Sequence, residues 1–155
     1  MYKLLIATES HIPEIVKLNQ RLHIYHDIPH FVWDSESWIK SQISEGNIFV
    51  ITRNSNVIGI FSLTEYPEEQ YPGAANLETL VVHPDYQRQG IGRALVIRAI
   101  EEAGKRGKTK LLVDTFFDFQ VENFYLKLGF KKFNPYIGYY KGHPFHAFYL
   151  DIDKN

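Results

Sequence analysis

Between Val81 and Leu95 the chain reads Val-Val-His-Pro-Asp-Tyr-Gln-Arg-Gln-Gly-Ile-Gly-Arg-Ala-Leu, a β-branched strand end passing through a short polar loop into a glycine-started helix. A strand that feeds a helix this tightly calls for layers of sheet and helix, and it also makes an anion cradle. The first N–H groups of a helix have no partner inside it, and the helix start carries about half a positive charge, so a phosphate or pyrophosphate suits it. Gly90 and Gly92 lack Cβ atoms, which allows close approach of a ligand and a positive φ where the turn needs one. The usual nucleotide fingerprints are absent: the chain contains no G-x-G-x-x-G and no G-x-x-x-x-G-K-[ST]. In their place Gln87 to Gly92 form a [QR]-x-x-G-x-[GA] pattern. Taken alone, that pattern also reads as a tight strand-to-helix turn with small residues kept for packing.

Strands and helices alternate along the rest of the chain. Lys3 to Ala7 reads as a strand. Thr8 or Ser10 caps a helix with Pro13 in its first turn, where the missing N–H does no harm, and Ile12, Ile15, Val16, Leu18 and Leu22 recur at helical spacing. Asp34 or Ser35 caps a second helix through Glu45, closed by Gly46. Asn47 to Thr52 and Val57 to Thr64 are strands joined at Asn54-Ser55-Asn56. Ala74 to His83 is the long central strand, and Gly92 to Lys105 is the helix after the cradle, ended by Gly104 and Gly107. Lys110 to Thr115 is a strand, Phe119 to Leu128 a helix stopped by Gly129, and Phe130 to Asn134 and Pro144 to Asp151 are two final strands. This order predicts a mixed sheet covered on both faces, in a single domain of 155 residues.

Composition narrows the function. A formal net charge of -1 without runs of like charge offers no footprint for nucleic acid or an acidic membrane, and favours a small-molecule or peptide substrate. With no cysteine there is no disulfide framework and no thiol nucleophile, and a metal would depend on His, Asp and Glu alone. No apolar run is long enough to span a membrane, and no charged start precedes an apolar stretch, so the expectation is a cytoplasmic protein.

Downstream of the cradle stands Asn123-Phe124-Tyr125-Leu126-Lys127-Leu128-Gly129-Phe130. The two segments, in this order and spacing, resemble the GNAT superfamily of N-acetyltransferases. The resemblance extends over nearly the whole chain, with Lys3 to Leu22 similar to the family's first strand and helix and Asn47 to Leu63 to its first hairpin. It implies an α/β fold with a central mixed, mostly antiparallel sheet flanked by helices. It also implies acetyl-CoA as co-substrate, no metal, and direct transfer of the acetyl group to a primary amine of a small molecule. Acetylation of a protein N-terminus or lysine, and a non-catalytic acyl-CoA-binding sensor, are the alternatives.

The resemblance carries residue roles. The backbone of Leu80, Val81 and Val82 would pair with the pantetheine arm as an added strand would, and a backbone N–H there would polarise the thioester carbonyl. The backbone of Gln87, Arg88, Gln89, Gly90, Ile91, Gly92 and Arg93 would hold the pyrophosphate, with Arg88 and Arg93 adding charge or standing as solvated surface arginines. Acyl transfer to an amine poses two proton problems. A primary amine with a pKa near ~10.4 is under about one part in a thousand nucleophilic at neutral pH, and the leaving thiolate must receive a proton. Glu78 is the candidate base: it shares strand parity with Leu80 and Val82, and an isolated Glu inside Leu-Glu-Thr-Leu-Val-Val is conspicuous. Its other reading is a strand-end carboxylate paired with a lysine or facing water, and Glu65 and Glu68 are weaker substitutes. Tyr125 is the candidate acid, matching the family's tyrosine at the coenzyme A thiol; otherwise it is an ordinary half-buried aromatic. Asp118 and Val121 depart from the Asn and Ala common in the family at those positions; Asp118 can still cap the helix, but it would set a carboxylate near an anionic cofactor.

Acceptor specificity is expected in the least family-like segments, His23 to Trp33 and Tyr136 to Phe148, both crowded with aromatic residues and histidine. Tyr25, Phe31, Trp33 and Tyr139 are the candidate acceptor contacts, an aromatic wall that fits a cationic or ring-bearing amine. A homodimer interface or a local core explains the same rings. His23, His26 and His30 do not share a helical face and read as polar loop residues near the acceptor entrance, not as metal ligands.

Overall fold

The computed structural model describes residues 1–25, 27–28, 32–66 and 68–153. In chain order its elements are β1 (Tyr2–Ile6), α1 (Ile12–Asn19), α2 (Glu36–Ser44), β2 (Ile48–Arg53), β3 (Asn56–Glu65), β4 (Ala74–Val82), α3 (Ile91–Lys105), β5 (Lys110–Phe116), α4 (Glu122–Lys127), β6 (Lys131–Tyr140) and β7 (His143–Asp151). The strands form a seven-stranded sheet in the order β1-β2-β3-β4-β5-β7-β6. The β4/β5 pair is parallel, and the β1/β2, β2/β3, β5/β7 and β6/β7 pairs are antiparallel, so the sheet is mixed as expected. No described helix is long and apolar enough to cross a membrane. The chain divides into two compact units, Met1–Leu63 with Thr79–Arg98, and Thr64–Glu78 with Ala99–Asn155.

In the first unit, α1 and α2 bury Ile15, Leu18 and Ile39 against Ile48, Val50 and Ile60 of β2 and β3. Truncating a buried aliphatic of this kind to alanine costs about 2–5 kcal/mol. Helix α2 starts where expected: the Ser35 hydroxyl accepts from the Trp38 N–H at 3.4 Å. Helix α1 is preceded by a 3₁₀ turn, Glu9–His11, in which the Thr8 N–H donates to His11 Nδ1 at 3.0 Å. The β2/β3 hairpin turns at Asn54 and Ser55, with φ of 51° and 67°, the pair of positive values that matches a two-residue turn to strand twist. Helix α3 rides close over β3 because Gly59 leaves room: a Cβ there would lie 3.0 Å from Leu95 Cδ1 and 2.9 Å from Ile51 Cγ2.

In the second unit, β5 is buried through Leu111, Leu112 and Val113, and α4 seats Tyr125 against Phe148 of β7, with the Phe130 ring beside Tyr125. Three boundaries differ from the sequence reading. Gly104 lies inside α3, and the chain turns at Gly107, with φ of +77°. The expected helix from Phe119 is broken: Phe117–Phe119 is a 3₁₀ turn, Gln120 adopts φ of 55°, and α4 starts at Glu122 with Val121 as its N-cap residue. Asp118 therefore does not cap it. Strand β6 continues past Asn134 to Tyr140, with a register shift between Lys132 and Ile137 where Pro135 lacks a ladder N–H.

Candidate functional site

The first unit contains the cradle. After β4, His83 opens a 3₁₀ turn, Pro84–Tyr86, its Nδ1 accepting from the Asp85 N–H at 3.1 Å. Arg88 and Gly90 then take positive φ, 62° and 82°, and α3 begins at Ile91. The first helical hydrogen bond runs from the Ala94 N–H to the Gly90 carbonyl at 3.0 Å, so the N–H groups of Gly90 to Arg93 lie ahead of the helix's own ladder. A Cβ added at Gly90 would meet nothing within 4 Å, so the space beside the Gly90 backbone is open. The loop is braced from its own side chains. Gln87 Nε2 donates to the Val82 carbonyl at 3.1 Å, Gln89 Nε2 donates to the Asp85 carbonyl at 3.4 Å, and the Tyr2 hydroxyl donates to Gln89 Oε1 at 3.2 Å. The glutamines thus shape the loop through their side chains. Arg88 and Arg93 are exposed, and Ile91 is buried under the helix start.

Strand β4 alternates as parity required. Leu77, Thr79 and Val81 are buried; Asn76, Glu78, Leu80 and Val82 are half-exposed on the other face. The parallel β4/β5 ladder runs only from Ala74↔Lys110 to Asn76↔Leu112.

The second unit gathers a polar cluster that sequence reasoning missed in part. Asn76 Nδ2 donates to Glu78 Oε2 at 2.7 Å and to Thr64 Oγ1 at 3.3 Å. Two residues beyond the last β4/β5 pair, Asp114 of β5 shares the face that carries Glu78. Burial, together with the Glu78 charge, raises the Asp114 carboxyl above the usual carboxylate range, and the Tyr66 hydroxyl opposes that rise. Asp114 still contacts solvent over much of its surface, so the rise is moderated by water. The Tyr66 phenol is pushed up by burial first and then by Asp114 and Glu78. Tyr66, Tyr71, Phe133 and Tyr149 follow one another edge to face at 4.9, 5.5 and 5.9 Å between ring centres. The lysine-paired reading of Glu78 is not what the contacts give. Of the two substitutes, Glu65 pairs with Lys108 at 3.3 Å and Glu68 accepts from the Gly73 N–H at 3.1 Å.

Tyr125 is buried, 4% exposed, with its ring 5.0 Å from Phe124, 5.3 Å from Phe130 and 5.5 Å from Phe148. Burial pushes its phenol up, so it keeps its proton at every physiological pH and is a donor. Gly129, with φ of +96°, ends α4 four residues on. Asp118 is exposed on the 3₁₀ turn before α4.

The acceptor candidates fall into separate settings. Tyr25 and Trp33 are half-buried, and the Trp33 carbonyl accepts from Nδ2 of fully buried Asn19 at 2.7 Å, which ties its turn to α1. His23 Nε2 pairs with Asp34 Oδ1 at 3.1 Å. Phe31, His26 and His30 lie outside the described residues. Tyr139, near the tip of the β6/β7 hairpin, is 71% exposed and Tyr140 is 42% exposed, an open surface and not the wall of an enclosure.

The acetyltransferase (GNAT) domain family is matched by residues 44–132. The [ribosomal protein bS18]-alanine N-acetyltransferase of Escherichia coli (strain K12) is 31% identical over 103 residues, 66% of this chain and 62% of that protein. The chain thus matches less than two thirds of that curated relative's length. Among solved structures, the ribosomal-protein-S18-alanine N-acetyltransferase from Escherichia coli is similar over 100% of this chain and 96% of its own, with a TM-score of 0.75 and 25% identity. The Salmonella typhimurium protein yncA, solved with its cofactor acetyl-CoA, is similar in fold over 100% of this chain and 96% of its own, with a TM-score of 0.79 and 20% identity.

Proposed function

The chain belongs to the GNAT acetyltransferase family, and from that premise we propose that it transfers the acetyl group of acetyl-CoA directly to a primary amine, the α-amino group of a polypeptide. The observation that carries the reading is the loop from Arg88 to Arg93, in which the N–H groups of Gly90 to Arg93 precede the helical ladder and the Gly90 Cβ position is open space. A pyrophosphate there meets unpartnered donors and the positive end of α3, with Arg88 and Arg93 as nearby charge. The fit favours an anionic group that approaches the backbone closely. Bound acetyl-CoA would supply an activated thioester and a thiolate leaving group.

The chain's own residues answer the two proton problems. Glu78, oriented by the Asn76 amide, takes the proton that the acceptor ammonium must lose. Tyr125 holds its own proton and donates to the leaving sulfur. The backbone of Leu80 to Val82 offers ladder groups to the pantetheine amides, because the β4/β5 ladder ends at Asn76. Gln87, Gln89 and Ile91 act by holding the loop in shape.

Two considerations favour a polypeptide acceptor over the small amine expected at first. An α-amino group titrates near ~8, so roughly a tenth of it is free amine at pH 7, and a carboxylate is an adequate base for the remainder. The exposed Tyr139 and Tyr140 offer an open surface suited to a chain and not to an enclosed small molecule. The relatives that act on an alanine of a ribosomal protein are in line with this. The test is thiol release from acetyl-CoA with an alanine-started peptide, the same peptide blocked at its N-terminus, and a panel of small cationic amines. The proposal expects the free peptide to give the highest kcat/KM and the blocked one to give none. Higher kcat/KM for a small amine would overturn the acceptor, and no release with any of them would overturn the transfer.

A further inference from the structure

We infer that Thr64 is a positioning residue for Glu78 that acts through Asn76: hydroxyl and amide together fix one carboxylate oxygen, Oε2, and leave Oε1 as the atom that takes the acceptor's proton. The inference deepens the reading of Glu78 as the base and rests on it.

Hydrogen bonds carry it. Asn76 Nδ2 has two N–H groups to give, and it meets two acceptors, Glu78 Oε2 at 2.7 Å and Thr64 Oγ1 at 3.3 Å. Glu78 is half-exposed, and its Oε1 accepts no hydrogen bond among the described residues. An amide that touched the carboxylate alone could turn about its last side-chain torsion, which is broad and two-fold, and present its carbonyl oxygen instead. With Thr64 as a second acceptor, the amide plane is fixed at two points.

The backbone on each side is held as well. Asn76 is the last β4 residue in the ladder with β5, opposite Leu112, and Glu78 lies two residues beyond it. Thr64 stands near the end of β3, and the connection from there to β4 is closed by its own contacts. The Gly73 N–H donates to Glu68 Oε1 at 3.1 Å, the Ala74 N–H donates to the Tyr71 carbonyl at 3.1 Å, and the Tyr66 and Tyr71 rings meet at 4.9 Å. The Gly73 carbonyl accepts from the N–H groups of Thr109 and Lys110 at 2.8 and 3.2 Å, which pins the connection to the start of β5.

Two consequences follow for the proton. A carboxylate that accepts an amide N–H is favoured in its charged form, so Glu78 stays ionised and able to accept. With Oε2 occupied, an incoming ammonium meets Oε1, and its approach is confined to one side of the carboxylate. There an N–H bond of the ammonium breaks, an O–H bond forms at Oε1, and the nitrogen is left with the lone pair that attacks. Glu78 returns the proton to water after the product departs. The titratable groups around Glu78 are Asp114 of β5 and Tyr66 of the connection, and Glu65 beside Thr64 is paired with Lys108 at 3.3 Å. They are common to every variant below, so differences among the variants belong to Thr64 and Asn76.

The experiment is the pH profile of kcat/KM for an alanine-started peptide, at saturating acetyl-CoA, in the wild type, Asn76→Leu, Thr64→Val, Thr64→Ser and Glu78→Gln. Asn76→Leu removes the donor, Glu78 ionises less readily, and the acid limb should move to higher pH by about one unit. Thr64→Val keeps the bulk and removes the hydroxyl; its limb should move the same way by less, with lower kcat and an acetyl-CoA KM that hardly changes. Thr64→Ser, which restores the hydroxyl, should restore the wild-type profile. Acetyl-CoA affinity by calorimetry reports that each variant is folded, and Thr64→Ala, run alongside, carries the same expectation as Thr64→Val. An acid limb in Thr64→Val and Thr64→Ala that coincides with the wild type, or one in Thr64→Ser shifted as far as in Thr64→Val, would overturn the role of Thr64. A limb unmoved in Asn76→Leu would overturn the whole arrangement. A different outcome belongs to the underlying reading: if Glu78→Gln keeps full activity across pH, Glu78 is not the base.

Discussion

Gly90 shows how much one residue can decide. Its φ of +82° is a backbone that L side chains adopt only under strain, and the space where its Cβ would stand is empty. Gly90→Asp sets a carboxylate and a strained backbone against the proposed pyrophosphate position. Coenzyme A affinity should fall at least tenfold, about 1.4 kcal/mol, measured by calorimetric titration of a variant whose circular dichroism is unchanged. Tyr125 makes a separable prediction. Its ring is held by Phe124, Phe130 and Phe148, so Tyr125→Phe keeps the packing and removes only the donor. Turnover should drop by about 10² while the acetyl-CoA KM moves little, because a proton donor to the leaving group acts in the transition state. The sequence marks both as candidates, through a strand-loop-helix string and a Phe-Tyr-Leu-Lys-Leu-Gly-Phe frame. The surroundings of Glu78 were not legible in it: a period of two says which face a residue takes, but not which strand lies beside it, and the parallel β4/β5 pairing, which ends at Asn76, has no local signal.

At the scale of elements, the C-terminal hairpin holds the least legible structure and the clearest pH dependence. Strand β6 was expected to stop at Asn134; the ladder instead shifts register around Pro135, which has no N–H to give it, and resumes at Ile137. Gly138 makes this possible, because a Cβ there would collide with the Phe145 ring that lies across it. On the same hairpin, His146 is buried, stacked on Phe117 at 3.7 Å and near Tyr136 at 4.8 Å. Burial lowers its pKa; Glu122 of α4 works against that and Lys132 of β6 adds to it. A histidine whose folded pKa lies below its unfolded value of about 6.5 is protonated first in the unfolded chain, so stability declines as pH falls through that value. His146→Phe, which keeps a ring and cannot be protonated, should lose less stability between pH 7.5 and pH 5 than the wild type. Thermal unfolding at the two pH values checks it, and an equal loss in both proteins would remove His146 as the source. Helix α4 was misread for a related reason. Hydrophobic spacing ran on through Phe119, but Gln120 in a left-handed conformation ends the first turn and moves the helix start past Asp118.

For the molecule as a whole, element order and mixed sheet follow from alternation and from the glycine punctuation, whereas the division into two compact units does not, because β4 and α3 each contribute residues to both. Acceptor choice is also a property of the whole chain, and the aromatic segments around Trp33 and Tyr139 are its proposed seat. Replacing either residue with alanine should raise the acceptor KM and leave the acetyl-CoA KM nearly unchanged. If both KM values hold and sedimentation instead becomes concentration-dependent, those rings belong to an interface between two copies of the chain.

The central claim is that acetyl passes from acetyl-CoA straight to an amine, without resting on the protein, in a chain that has no cysteine to carry it. The most direct measurement is a single-turnover quench with enzyme in excess over acetyl-CoA, an alanine-started peptide as acceptor, and intact masses read for peptide and enzyme through the time course. The account predicts that the peptide gains one acetyl group while the enzyme mass stays constant at every time point. A transient acetylated enzyme, or an unmodified peptide in the presence of bound acetyl-CoA, would contradict it.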